Sequence, residues 1–347
     1  MKVFTKSLRL CSVSGKGRHD LLKLMIIVDD ANLGILEKIL QHKEWGHQVI
    51  YILTDSSTVK ARFQFHSRIY SVKANIRSLL RHDIVDEIVC CVSSLPASYM
   101  EELVDICRQF GVSLLFQPGF DSTGWSFSKY RYIGHLAFHT LETSPRHSFT
   151  YMIKTGIEIG FATFILFMLS PLLLFIALLI KSTSRGSVIF KQQRVGLRGR
   201  KFYIYKFRTM IVDAEKLKAV LLEFNESDGP AFKIRNDPRI TGVGRFLRKT
   251  GLDEIPQLYN IMRGEMSLIG PRPMLPNEVS EQEEWQLKRM SIKPGITCTW
   301  QVQPNRNSVS FDRWMLADRD YVENWSVKTD LKLFFKTIIS IFAARGL

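Results

Sequence analysis

An uninterrupted apolar stretch, Ile159–Ile180 (IGFATFILFMLSPLLLFIALLI), constrains this chain more than any other feature. At about 1.5 Å rise per residue, a straight helix of this length covers roughly the hydrocarbon core of a bilayer. No charge interrupts it, and a helix apolar on every face is foreign to the surface of a soluble globule. Ser170 and Pro171 sit in its middle. Pro171 has no N–H for the Phe167 carbonyl and its ring crowds that turn, so a kink is expected, with the Ser170 hydroxyl satisfying part of the freed backbone.

The flanks bear on topology. Lys154 precedes the stretch, and Lys181 and Arg185 follow it. Basic flanks belong on the cytoplasmic side. A single crossing places one of them on the wrong side, whereas a hairpin that enters and leaves through one face satisfies both. Ser170 and Pro171 are therefore read as the vertex of a re-entrant helix, with a plain single span as the competing reading.

Upstream, Leu24–Val28, Val49–Leu53, Val85–Val92 and Val112–Phe116 read as buried strands, and Leu33–Leu40 and Ala97–Phe110 as amphipathic helices. That alternation predicts a parallel α/β sheet. A dinucleotide site needs G-x-G-x-x-G directly after the first strand. The sequence there is DDANLG, so a sheet domain serving regulation or association is expected instead. Residues 121–150 read as a connector with one strand near Tyr132–Phe138. The five cysteines are odd in number and form no C-x-x-C, which indicates free thiols in a reducing compartment. The first 20 residues contain no apolar core of signal-peptide length.

Downstream the chain is strongly basic. The net charge of +15 implies an anionic partner: nucleic acid, anionic lipid or phosphorylated substrates. Lys181–Met210 contains nine Lys or Arg and no acid, beside the apolar stretch, and so favours an anionic leaflet. Nucleic acid is ranked low because no nucleic-acid fold is recognisable. Asp213–Phe224 reads as a surface helix, Lys293–Trp300 as a turn with a strand-like segment, and Leu331–Ala343 as an interfacial amphipathic helix.

The densest chemistry lies in Thr250–Pro273, TGLDEIPQLYNIMRGEMSLIGPRP. Asp253 and Glu254 adjoin just before Pro256, which suits a helix N-terminus. A plain capping pair is the ordinary role for such residues. The neighbouring Arg245, Arg248, Lys249 and Arg272 add the alternative of phosphate chemistry, with one carboxylate facing phosphorus and the other a metal.

From about Lys154 onward the chain resembles the monotopic phosphoglycosyl transferases, or bacterial sugar transferases. The resemblance rests on the Ser170-Pro171 helix, GSVIFKQQRVGLRGRKFYIYKFRTM, NDPRITGVGRFLRKTGLDEIPQLYNIMRGEMSLIGPRP and KPGITCTWQV. The N-terminal half resembles the Rossmann-like domain of the larger members. The implied fold is α/β throughout: a Rossmann-like domain (1–120), the connector (121–150), a re-entrant membrane helix (151–185) and a cytoplasmic-face catalytic domain, mainly helical, with a C-terminal interfacial helix (186–347).

The resemblance implies transfer of a sugar-1-phosphate, a hexose by preference, from a UDP-sugar to undecaprenyl phosphate with release of UMP. This initiates exopolysaccharide, capsule or O-antigen assembly at the cytoplasmic face of the bacterial inner membrane. By position, Asp253 is the nucleophile and Glu254 the Mg2+-side carboxylate. Lys206, Arg208, Arg248, Arg272 and Arg306 are phosphate contacts, and Asp318 and Gln301 are further candidates. Anionic lipids are implied partners and a homodimer an implied option. Cys298 and QVQPNRN (301–307) depart from the family's I-T-G and Q-V-N-G-R, and Arg306 aligns only across one inserted residue. Two other classes fit the bare composition: a non-catalytic, membrane-anchored nucleotide-sensing regulator and a membrane-tethered nucleic-acid binder.

Overall fold

The computed structural model describes residues 21–65, 68–118, 129–145, 148–226, 232, 234, 236–280, 283–303 and 309–342. The chain divides into two compact units near Pro145.

The first unit is a mixed sheet of seven strands: β1 (Leu22–Val28), β2 (His47–Leu53), β3 (Arg68–Tyr70), β4 (Glu87–Cys91), β5 (Ser113–Phe116), β6 (Lys129–Ile133) and β7 (Leu136–Leu141). Their order is β3-β2-β1-β4-β5-β7-β6, parallel from β3 through β5. Helices α1 (Leu33–Gln41), α2 (Ser57–Phe63), α3 (Ile76–His82) and α4 (Ala97–Phe110) connect the parallel strands. Ser56 and Asn75 cap α2 and α3 through their side chains. Gly111, at φ 67°, ends α4. Leu24, Ile26, Leu36, Ile52, Val89 and Leu115 form the core.

One feature differs from the sequence expectation. The segment read as a connector holds the β6–β7 hairpin, which extends the sheet antiparallel beyond β5. It escaped notice because β6 is a largely exposed edge strand, KYRYI, without an apolar run. At the reversal of strand order between β1 and β4, the Asp29 carboxylate accepts from the Ser93 N–H at 3.0 Å and from the Asn32 N–H at 3.0 Å.

The second unit begins with α5 (Phe149–Met168), capped by Ser148, and α6 (Ser170–Thr183). By length and composition, α5 is the one helix among the described residues suited to cross a membrane. The break falls at Leu169, and the Ser170 Oγ donates to the Phe167 carbonyl at 2.8 Å, the acceptor that Pro171 leaves unserved. Phe164, Phe167, Phe175 and Leu178 are exposed. On the opposite side, Ala162 packs with Phe202, Ile204 and Leu258, and Ile176 and Ile180 pack with Phe207 and Leu247. Both helices therefore lean on the same globule.

That globule contains the antiparallel hairpin β8 (Ile189–Val195) and β9 (Lys201–Phe207), concealed in sequence by its basic residues. Next come α7 (Ala214–Val220) and α8 (Gly242–Thr250), then a 3-10 segment (Leu252–Gln257) and α9 (Leu258–Met262). A Cβ on Gly244 would lie 2.0 Å from the Thr209 carbonyl, so only glycine lets α8 approach β9's end this closely. A short parallel pair, β10 (Ser267–Ile269) and β11 (Gly295–Thr297), is followed or flanked by α10 (Pro276–Ser280), α11 (Glu284–Leu287), α12 (Phe311–Glu323) and α13 (Val327–Phe342). Along α13, Leu331, Phe335 and Ile339 form an exposed apolar row at helical spacing.

A buried polar network ties the base of α5 to α13. Lys154 Nζ lies 2.9 Å from Asp330 and 3.6 Å from Glu158, and donates to the Ile269 carbonyl at 3.0 Å. Ser267 donates to Glu158, while Tyr321 and Trp325 donate to Asp330.

Candidate active site

Asp253 and Glu254 do not open a long helix. They occupy the first turn of the 3-10 segment between α8, which Gly251 terminates at φ 71°, and α9. Pro256 lies within that segment and α9 starts only at Leu258. The Glu254 N–H already bonds the Gly251 carbonyl. The expected long-helix N-terminus is thus replaced by a 3-10 turn, and the positive charge around the pair comes from side chains.

Those cations converge from separate elements. Lys206, on β9, places Nζ 2.5 Å from Glu254 Oε1. Arg248, in the last turn of α8, is fixed by an Nε–H bond of 2.9 Å to Thr209 Oγ1. Arg272 lies over the Trp300 ring at 5.9 Å and acts electrostatically on Glu254. Arg194, on β8, feels both Arg272 and Glu254.

The two carboxylates are driven apart. Burial and the charge of Glu254 push Asp253 up to about 6, against the pull of Lys206 and Arg248. Burial also works to raise Glu254, but Lys206, Arg272 and Gln257 together hold it below its ordinary value. Asp253 is 7% exposed, and its Oδ1 has no hydrogen-bond partner. Adjacent carboxylates shifted in opposite directions by their surroundings mark a candidate functional site. Burial and the neighbouring Arg272 lower Arg194 to about 10, and burial lowers Arg248; both stay cationic.

The other predicted residues are placed elsewhere. Arg208 donates to the Ser184 carbonyl at 2.9 Å and to Ser184 Oγ at 2.7 Å, which secures the C-terminus of α6. Gln301 Oε1 accepts from the Cys298 N–H and thiol, bracing its own turn. Asp318, 1% exposed, pairs with Arg289 at 2.5 Å. Burial pushes Asp318 up to about 6, opposed by Arg289 and Arg272. Arg306 lies outside the described residues. Arg194, Thr209, Gln257 and Arg289 were not singled out from sequence. The partners of Arg194, Thr209 and Arg289 are distant in the chain, while Gln257 lies three residues from Glu254 and carries no chemical signature of its own. Only the alternation in KFYIYKF, with Phe202 and Ile204 inward, hinted at the hairpin that carries Lys206.

No group of three or more His, Cys, Asp or Glu capable of holding a metal occurs among the described residues. A carboxylate pair with an unserved buried oxygen does suit Mg2+, which commonly takes one or two protein carboxylates and draws its remaining ligands from substrate phosphates and water.

Asp253 and Glu254, adjacent in the chain with Lys206 on Glu254 and with Arg248 and Arg272 acting on the pair electrostatically, form a carboxylate–cation cluster of the kind found in transferases. The chain belongs to the bacterial sugar transferase family, whose model matches residues 149–344. It is 44% identical over 161 residues to the galactosyl transferase CpsE of Streptococcus agalactiae, covering 46% of this chain and 36% of that protein. It is 41% identical over 202 residues to the exopolysaccharide production protein ExoY of Rhizobium meliloti, covering 56% of this chain and 88% of ExoY. The UDP-glucose:undecaprenyl-phosphate glucose-1-phosphate transferase of Klebsiella pneumoniae is 29% identical over 323 residues, covering 90% of this chain and 66% of that protein. The chain thus spans most of ExoY but only about a third of CpsE.

Proposed function

We propose that this protein transfers a hexose-1-phosphate from a UDP-sugar to undecaprenyl phosphate and releases UMP. The observation that carries this reading is Asp253: buried, with one oxygen unserved, beside a Glu254 that Lys206 engages. In the first step an Asp253 oxygen attacks the sugar-bearing phosphorus. The bond from that phosphorus to the UMP oxygen breaks, and UMP leaves with the electron pair. In the second step an oxygen of the lipid phosphate attacks the same phosphorus and the Asp253 carboxylate departs. Lys206, Arg194, Arg248 and Arg272 offset the charge of two anionic phosphates brought together. Glu254 would hold Mg2+, which would supply neutralisation and orientation of the diphosphate. The names of several relatives specify galactose or glucose, which supports a hexose donor.

The α5–α6 pair is read as a re-entrant hairpin on the cytoplasmic face. Support comes from the break at Leu169 and from both helices packing on one globule. Cysteines introduced at Thr150 and Phe190 should react with an impermeant thiol reagent from the same side; reaction from opposite sides would refute the hairpin. The reaction is tested by UMP release across a panel of UDP-sugars with undecaprenyl phosphate and Mg2+. Intact mass without the lipid should show a hexose-phosphate adduct on Asp253. Absence of UMP release with every donor favours the nucleotide-sensing regulator instead.

A further inference from the structure

The backbone from Pro271 to Met274 poses a hydrogen-bonding problem. Its two prolines donate nothing, so it cannot join a regular ladder, and its buried carbonyls need donors from elsewhere. Each carbonyl is met by a different residue. The Gly295 N–H reaches Pro271 O at 2.9 Å and the Val195 N–H reaches Met274 O at 2.8 Å. The two central carbonyls take guanidinium donors: Arg289 Nη2 to Arg272 O at 2.6 Å, and Arg194 Nη1 to Pro273 O at 3.2 Å.

Arg289, in the 3-10 turn Lys288–Ser291, pairs with Asp318 rather than with Asp253 or Glu254. Its side chain is 4% exposed, its Nη1 rests on the sulfurs of Met274 and Met315, and its charge is matched by Asp318 at 2.5 Å. A buried ion pair of this kind rarely adds net stability over apolar residues of similar volume. What it adds here is a fixed donor to one peptide carbonyl.

We propose that Arg289, neutralised by Asp318, is a positioning residue that fixes the Arg272 backbone and thereby aims the Arg272 guanidinium at the donor diphosphate. This rests on the reading of Arg272 as a phosphate contact. Arg289 itself touches no substrate. The chain uses one arginine to place another because the planar guanidinium holds Asp318 and the Arg272 carbonyl at a fixed geometry that the single ammonium of a lysine keeps only loosely.

The test is initial-rate UMP release by the full chain in detergent, with UDP-galactose and UDP-glucose as donors. Arg289→Met should raise the donor KM by about tenfold or more while kcat changes much less. Arg289→Lys should recover part of the loss. In an Arg272→Ala background, Arg289→Met should add nothing further, because the aimed group is already gone. The double variant Arg289→Met with Asp318→Asn avoids a buried unpaired charge should the single variant misfold, keeps an acceptor for the Arg272 N–H that also bonds Asp318, and should show the same KM effect. A folded variant with wild-type KM, or effects of Arg289→Met and Arg272→Ala that multiply independently, overturns the proposal. If Arg272→Ala alone leaves KM unchanged, the reading of Arg272 falls and the proposal with it; that result is separable because it involves no change at Arg289.

Discussion

Lys206 holds Glu254 at 2.5 Å and leaves the adjacent Asp253 with a buried oxygen that no donor serves. Two neighbours of like chemistry thus have unlike surroundings. One carboxylate is locked in an ion pair; the other is desolvated and available. The division of labour between nucleophile and metal-side group proposed above follows from that asymmetry.

Asp253→Asn should remove UMP release along with overall transfer, by at least about a thousandfold, since loss of a nucleophile removes the covalent route entirely. Quantifying UMP in a single turnover without lipid isolates the first step. Release at the wild-type rate would exclude Asp253 as the attacking group.

The elevated Asp253 value has two pH signatures. As nucleophile the group must be ionised, so the first-step rate should climb as pH rises through about 6 and then level off. Stability runs the other way. The folded chain holds this proton more tightly than the unfolded chain, whose value lies near the ordinary ~4, so the contribution is intact below that and is lost as pH rises through the folded value. Asp253→Asn should therefore stabilise the fold by on the order of 2 kcal/mol at pH 8 and scarcely at all near pH 4. Thermal unfolding at both pH values checks this. Glu254→Gln, which removes one cause of the elevation, should move the acid limb of the rate profile to lower pH and weaken the Mg2+ dependence.

Lys206→Met removes the ion-pair partner of Glu254, leaving Arg272 and Gln257 to offset its charge, and should destabilise the protein by about 3 kcal/mol. Combining it with Glu254→Gln should restore most of the stability but not the activity. Denaturation midpoints and UMP release on the single and double variants distinguish a merely structural pair from a functional one: recovery of both together would count against a functional role.

Lys154→Met removes the cation shared by Asp330 and Glu158. A loss of about 3 kcal/mol, or a melting-temperature drop on the order of 10 °C in detergent, is expected. Replacing Asp330 by Asn in the same chain should recover part of it. A drop of under about 2 °C would show that the network contributes little at this scale.

Legibility from sequence varied with the range of the interaction. The helix Ala97–Phe110 was readable because its start at Pro96 and its stop at Gly111 are local signals. The break near Ser170 was readable for the same reason, since proline acts on its own turn. Asp253 and Glu254 stood out through their flanking arginines. By contrast, nine cations between Lys181 and Met210 looked alike. Their separate fates, Lys206 on Glu254, Arg208 on Ser184 and Arg194 on Pro273, depend on strand pairing and on partners far along the chain. Arg289 gave no local sign because its carbonyl partner is 17 residues away and its acid partner lies on α12.

The bend at Leu169 carries its own solvent substitute. Because the Ser170 hydroxyl closes the Phe167 carbonyl, the angle can exist where no water is present to complete it. Ser170→Ala should then be nearly silent wherever water reaches the bend, yet strongly felt once it is surrounded by acyl chains. Comparing the variant in a loose micelle with the same variant in a bilayer nanodisc makes a single oxygen atom report on how dry that corner of the molecule is.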